Sequence, residues 1–339
     1  LYAPKKRENK RMNLLTGQYR QLTLAYPATS FWKKLSSLWR VWGITSQLEK
    51  EGIELFHGLS NELPLNIHKS RIKSIVTIHD LIFLRYPQYY QSIDRKIYTY
   101  KFRKACENAD KIIAISECTK RDIIRYFNIP DDKIEVVYQG CDVSFTHPVT
   151  EEKKEEVRKK YQLPDHYILN VGSIEERKNI LAAVQALPML PQHIHIVIVG
   201  RRTGYTEKVE QFIKDNGLGE RVHIISNVPF NDLPAFYQSA EIFVYPSRFE
   251  GFGIPIIEAL YSGIPVVAAT GSCLEEAGGP DSIYVNPDDI TGLADAFKQI
   301  YSNSDKRKNM VEKGREFAKR FSEKQQSEEI INIYKKLIR

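Results

Sequence analysis

The sequence predicts an α/β protein built from two doubly wound domains that face a central cleft. Its 339 residues exceed the roughly 250 at which a single hydrophobic core stops growing. Short apolar runs alternate with helical patterns through both halves, which implies parallel sheets covered by helices. A stretch rich in glycine, proline and polar residues, from Gln139 to about Thr150, separates the halves.

The chain opens with Leu1-Tyr2-Ala3-Pro4, an apolar pair running into a basic turn, which reads as the tail of a strand whose start is missing. Strands are then expected at 55–57, 74–79, 111–115 and 135–138. The helix after Ile115 has Ser116 as its cap and Ile123, Ile124 and Phe127 on one face, and Asn128 and Pro130 stop it. Beyond the linker comes a charged helix, 151–161, and then strands at 167–171, 195–199, 222–225, 242–245 and 266–269 with the continuous apolar pattern of buried parallel strands. Helices fall between them at 179–187, 206–216, 232–239 and 255–262, and three more run to the end. These divisions predict a first domain over 1–148, a second over 149–321, and a terminal helix over 322–339 that crosses back to the first.

Composition excludes several classes. Hydrophobic residues make up 42% and charged ones 27%, which rules out a disordered or collagen-like chain. No apolar run approaches the roughly 20 residues of a membrane span, and the basic opening leads into no signal-peptide core. Cys106, Cys118, Cys141 and Cys273 form no Cys-x-x-Cys pair, so neither zinc nor a disulfide framework is expected and a reducing cytoplasm is the simplest compartment. The net charge of +7 comes without a nucleic-acid motif, and its basic residues read as solvated helix faces.

Two strand-to-helix loops carry chemistry. In the first, Glu250-Gly251-Phe252-Gly253-Ile254-Pro255 follows a strand and opens a helix that Gly263 closes, with Pro255 at its first turn. Glycines at 251 and 253 let backbone amides approach a ligand, and a helix N-terminus favours oxygen-rich or anionic groups. Glu258 sits one turn inside, so two carboxylates can face one cleft and accept bonds from vicinal hydroxyls, a sugar-binding chemistry. The second loop runs from Gly172 to Asn179, where adjacent Arg177 and Lys178 combine a planar fork and a point charge suited to two neighbouring phosphates.

Glu250, which opens Glu-Gly-Phe-Gly-Ile-Pro, and Glu258, with seven residues between the two, together with Arg177-Lys178-Asn179, resemble the retaining glycosyltransferases of family four, whose architecture is called GT-B. Through His57-Gly58-Leu59-Ser60, Ile78-His79-Asp80 and Ile115-Ser116 the resemblance extends over most of the first half. It implies that Glu258 binds the nucleotide ribose, that Glu250 with Gly251, Phe252, Gly253 and Ile254 holds the donor sugar, and that Gly172, Arg177 and Lys178 face the diphosphate. His79 would stand near the sugar and the β-phosphate, giving His79, Arg177, Lys178 and Glu250 as the catalytic set. The cations would stabilise charge on the leaving nucleoside diphosphate, with no metal and no cofactor beyond a GDP- or UDP-linked sugar. The implied acceptor is a glycan or a lipid-linked glycan of cell-surface polysaccharide or lipopolysaccharide.

The chain departs from that pattern at Gln139, where asparagine is usual before the hinge glycine, and at Glu275, where proline is usual, so Ser272 and Glu276 are left without a role. The resemblance implies a first domain that begins with a strand, a glycine-rich loop and a helix, and a start missing there would leave a donor-binding but inactive fragment as one alternative; a nucleotide-sugar epimerase of the same architecture is the other. Residues 31–42, with Phe31, Trp32, Leu35, Leu38, Trp39 and Trp42 among Lys33, Lys34 and Arg40, are amphipathic at helical spacing. Packing onto the first sheet is the favoured reading, and peripheral contact with an anionic membrane on its cytoplasmic face is the other.

Overall fold

The computed structural model describes residues 1–6 and 10–338. Two parallel sheets carry the chain. The first holds β1 (Leu55–Gly58), β2 (Lys73–Ile78), β3 (Lys111–Ala114) and β4 (Ile134–Val136) in sequence order. The second holds β5 (Tyr167–Val171), β6 (His195–Val199), β7 (Val222–Ile225), β8 (Ile242–Tyr245), β9 (Val266–Ala269) and β10 (Ile283–Val285) in the order β10-β9-β8-β5-β6-β7. The direction of winding reverses between β5 and β8, which are direct neighbours. Strand ends at such a switch point diverge and leave a crevice for a ligand. The loops after β5 and β8 are the two that carry the chemical motifs.

Burial explains the strands. Every residue of β8 and β9 is buried, as uninterrupted apolar runs require when helices cover both faces. The sequence locates β5 to β9 residue for residue, whereas β10 escapes it: three half-buried residues between turn segments are too few to show a period. In the first sheet β4 stops at Val136, so Val137 and Tyr138 belong to the connection beyond it.

The helix α1 (Glu117–Phe127) starts as its residues dictate, with Ser116 accepting a bond from the Thr119 amide, and ends at Asn128 in the left-handed conformation. In the second domain α2 (Ile180–Ala186), α3 (Leu233–Ser239), α4 (Ile254–Ser262) and α5 (Leu274–Gly278) follow their strands. The chain crosses between domains twice, side by side. At Gly140 a Cβ would lie 2.7 Å from the backbone of Glu323, and the Cys141 amide donates to the Phe321 carbonyl at 3.0 Å. The last helix, α6 (Glu323–Ile338), then returns beneath the first sheet, where Ile330, Ile333, Tyr334 and Leu337 pack on Leu55, Ile75, Ile113 and Val137.

The opening residues form a single parallel bridge, Tyr2 to Ala25, rather than the end of a strand in the first sheet. Residues 31–42 form no continuous amphipathic helix. They break into helical pieces at Ser30–Lys34 and Ser36–Leu38 and a π-helical turn at Trp39–Gly43. Trp39 is 1% exposed and Trp32 packs on the same core, while Phe31, at 61%, and Trp42, at 48%, face solvent with Leu35 and Leu38. Packing and surface exposure therefore share the segment. Among the described residues no helix is long and apolar enough to cross a membrane.

Candidate active site

The loop after β5 makes a short 3₁₀ turn over Glu176–Lys178, and Asn179, in the left-handed conformation, hands the chain to α2. Its amide side chain donates to the Pro287 carbonyl at 2.7 Å and fixes the turn to the loop beyond β10. Gly172 has φ +152°, and a Cβ there would press on the Lys178 side chain. This position is thus kept empty for Lys178 itself. The loop after β8 ends at Gly253, with φ +136°, where α4 begins with Pro255 in its first turn.

The two loops meet on Glu250. Its Oε1 lies 2.9 Å from Arg177 Nη1 and 3.1 Å from Lys178 Nζ. The same oxygen accepts bonds from the Ser247 hydroxyl at 2.8 Å and the Tyr245 hydroxyl at 3.2 Å. Burial works against ionisation of Glu250, but the Lys178 and Arg177 charges and the hydrogen bonds outweigh it and hold the carboxyl below its usual range. The sequence separates these residues into a phosphate pair and a sugar carboxylate. The structure instead brings them together as one cluster, because adjacent strand ends put both loops within side-chain reach. Lys178 Nζ also donates to the Tyr245 hydroxyl at 2.8 Å, and Arg177 bonds the Phe249 carbonyl.

Glu258 stands apart from this cluster. It faces Tyr237 of α3, whose hydroxyl donates to Oε2 at 2.6 Å. Burial pushes its carboxyl up to about 7, with the Tyr237 bond opposing and Asp142 adding to the shift. A further donor, such as a ligand hydroxyl, would favour its ionised form.

The first domain supplies the opposite wall. His79, at the end of β2, has its Nε2 2.8 Å from the Leu59 carbonyl, and its amide donates to Asn61. Beside it, burial raises the Asp80 carboxyl, opposed by an amide bond from Ile82 and the charge of Arg177, while the Glu250 charge adds to the rise. Asp80 therefore senses Arg177 and Glu250 across the cleft. A Cβ on Gly251 would lie 2.1 Å from the His79 carbonyl oxygen. Glycine is required at 251 for the approach of the other domain, a constraint that the sequence reading did not include. The Gly251 carbonyl accepts a bond from the Ser116 hydroxyl at 2.7 Å, while Phe249 and Phe252 lie against Tyr86 and Tyr138 of the first domain. With Ile254 these residues line the junction as α4 begins.

Sequence reasoning missed Tyr237 and Tyr245 because each reads as part of a buried apolar run, and Ser247 because a serine between Pro246 and Arg248 reads as ordinary loop; only geometry shows their hydroxyls turned to carboxylates. It also left Glu276 without a role. Its two oxygens accept from the amides of Glu117 and Cys118, at 2.7 and 2.8 Å, so a carboxylate of α5 caps α1 of the other domain. Glu275, where proline was expected, accepts from the Thr270 hydroxyl and the Gly271 amide and ties α5 to the turn that follows β9. Among the described residues no group of three or more acidic, histidine or cysteine side chains could hold a metal ion.

Two parallel α/β domains meeting at strand ends, with a cationic pair, two buried carboxylates and a glycine seam between them, define the GT-B class of glycosyltransferases. Solved structures of that class superpose over nearly the whole chain. A glycosyltransferase from Rickettsia africae matches with a TM-score of 0.79 at 22% identity, over 98% of this chain and 89% of the other. Anabaena HepE in complex with UDP matches with a TM-score of 0.78 at 17% identity, over 97% and 90%. The O-antigen chain mannosyltransferase B of Escherichia coli is 31% identical over 289 residues, spanning 84% of this chain and 74% of the relative. Residues 3–145 match the model of Glycosyltransferase Family 4, and residues 151–317 that of Glycosyl transferases group 1. The chain belongs to this family of glycosyltransferases.

Proposed function

We propose that this glycosyltransferase moves a sugar from a GDP- or UDP-linked donor to a glycan or lipid-linked glycan acceptor, with retention, in cell-surface polysaccharide synthesis. The observation that carries the donor reading is the meeting of Arg177, Lys178 and Glu250 at the β5–β8 switch point, with Glu258 on the same loop-helix unit. Glu258 accepts the ribose hydroxyls, Arg177 and Lys178 take the diphosphate, and Glu250 with the Gly251–Ile254 backbone receives the sugar. As the bond to the diphosphate breaks, the two cations stabilise the developing charge, the role a metal would otherwise fill. His79 and Asp80 line the wall from which the acceptor hydroxyl arrives, on the same face as the leaving group. The name of the Escherichia coli relative, an O-antigen mannosyltransferase, supports a polysaccharide acceptor, and the UDP complex of HepE supports a nucleotide donor.

The test is sugar release from GDP-mannose and UDP-glucose, with and without isolated lipid-linked glycan. Lys178→Ala and Glu258→Ala should each lower transfer more than about a hundredfold, the scale of one lost transition-state contact, while both variants keep the wild-type melting temperature within a few degrees. Full activity in both variants would refute the reading. Conversion of a donor without any acceptor would instead favour an epimerase, and a glycosylated side chain trapped during turnover would count against same-face attack. The exposed Phe31, Leu35, Leu38 and Trp42 beside Lys33, Lys34 and Arg40 support peripheral contact with an anionic membrane on its cytoplasmic face. Flotation with anionic vesicles measures it, and neutral vesicles should retain less protein.

A further inference from the structure

We propose that Tyr245 and Ser247 form a hydroxyl cradle that keeps the Glu250 carboxylate in place while Arg177 and Lys178 turn from it to the diphosphate of an incoming donor. The inference rests on the donor reading above and assigns two positioning residues to that site.

The contacts to Glu250 divide into two kinds. Arg177 and Lys178 bring charge, but a diphosphate competes for both, since each is suited to phosphate oxygens. If they were the only support, donor binding would strip a buried carboxylate of its partners, an unfavourable state for any buried charge. The Ser247 and Tyr245 hydroxyls are neutral and fixed. Ser247 is fully buried and Tyr245 is 2% exposed, with its ring stacked on Phe243 at 5.9 Å.

Donor and acceptor roles fix the direction of the bonds. An ammonium group only donates, so Lys178 gives a hydrogen to the Tyr245 oxygen and the Tyr245 proton is committed to Glu250. Ser247 has two carbonyls within reach, of Arg177 at 3.4 Å and Phe249 at 3.3 Å, yet its shortest contact is the 2.8 Å bond to Glu250. Among the described residues every contact to the carboxylate falls on Oε1. Oε2 is left for a hydroxyl of the donor sugar. When the cations move to phosphate, the two hydroxyls keep Oε1 occupied and Oε2 pointed at the same place.

Without the cradle, Glu250 depends on the cations alone and resists their release, so the diphosphate binds less well. The experiment measures GDP and UDP affinity by calorimetry in the full chain, in Tyr245→Phe/Ser247→Ala, in Glu250→Gln and in the triple variant, with melting temperatures alongside. The expected result is affinity weakened about tenfold by the double substitution, the scale of coupled neighbouring contacts. In the Glu250→Gln background the same substitutions should change affinity less than twofold, because no buried charge remains to be held. A purely structural role for the two hydroxyls would weaken binding equally in both backgrounds, and that result overturns the proposal, as does unchanged affinity in the double variant. If the double variant does not fold, Tyr245→Phe and Ser247→Ala carry the same comparison singly, each with about a threefold effect. A wild-type chain that binds neither nucleotide overturns the donor reading and this inference with it, whereas tight wild-type binding with an inert cradle overturns this inference alone.

Discussion

Glu258 works against the stability of the unliganded protein at neutral pH. Its carboxyl titrates at about 7 in the fold against 4.5 for the free group, so burial disfavours the charged form. The folded pKa is raised, so the stability present at low pH is lost as pH climbs from 4.5 towards 7. The loss reaches about 3 kcal/mol above pH 7, at about 1.4 kcal/mol per pH unit. Glu258→Gln should therefore melt higher than wild type at pH 8 and alike at pH 4, while GDP or UDP affinity falls; equal melting curves at pH 8 would refute this reading of the site. Gly251 shows a different constraint, since a methyl group there meets the His79 carbonyl. Gly251→Ala should cost about 1–3 kcal/mol of stability from overpacking and lower transfer at least tenfold, read from denaturant melts and initial rates. At this scale the motif residues were legible because glycine, proline and paired charges have few uses in such loops. The partners of Glu250 and Glu258 were not, because a tyrosine within a buried strand or helix looks like core until its hydroxyl is seen.

Among elements, the second sheet was readable almost to the residue, since strands buried on both faces must be apolar throughout. The segment over 31–42 was not, because one helical spacing serves a core face and a surface face equally, and the chain uses it for both, with Trp39 inside and Trp42 outside. No sequence pattern marks a helix capped from another domain, and that is how α1 is held: Glu276 of α5 occupies its first amides in addition to Ser116. Loss of one capping group typically costs about 1 kcal/mol. Glu276→Ala should leave each domain folded but weaken their closure by roughly that amount, visible as a larger radius of gyration in solution scattering. An unchanged radius would assign Glu276 to α1 alone.

For the molecule as a whole, the largest hydrophobic cluster does not stop at the domain boundary. Ile82, Ile115 and Cys118 of the first domain share it with Tyr245, Phe249 and Phe252 of the second. The two-domain plan was legible from length and linker, but the closeness of the domains was not, since it depends on side chains far apart in sequence. Two adjacent chain crossings near Gly140 and Phe321 leave the halves joined along one line. The buried junction also sets a tempo. Arg177, Lys178 and Glu250 are only 13–16% exposed, so on the donor reading proposed above a nucleotide would reach them only after a conformational step. In stopped-flow mixing the observed association rate should level off as nucleotide concentration rises, at the opening rate, as expected when a conformational step precedes capture, and Glu276→Ala should raise that plateau. A strictly linear rise would mean that the junction is already ajar. The glycine that lets two domains touch would then also govern how often the protein can be loaded.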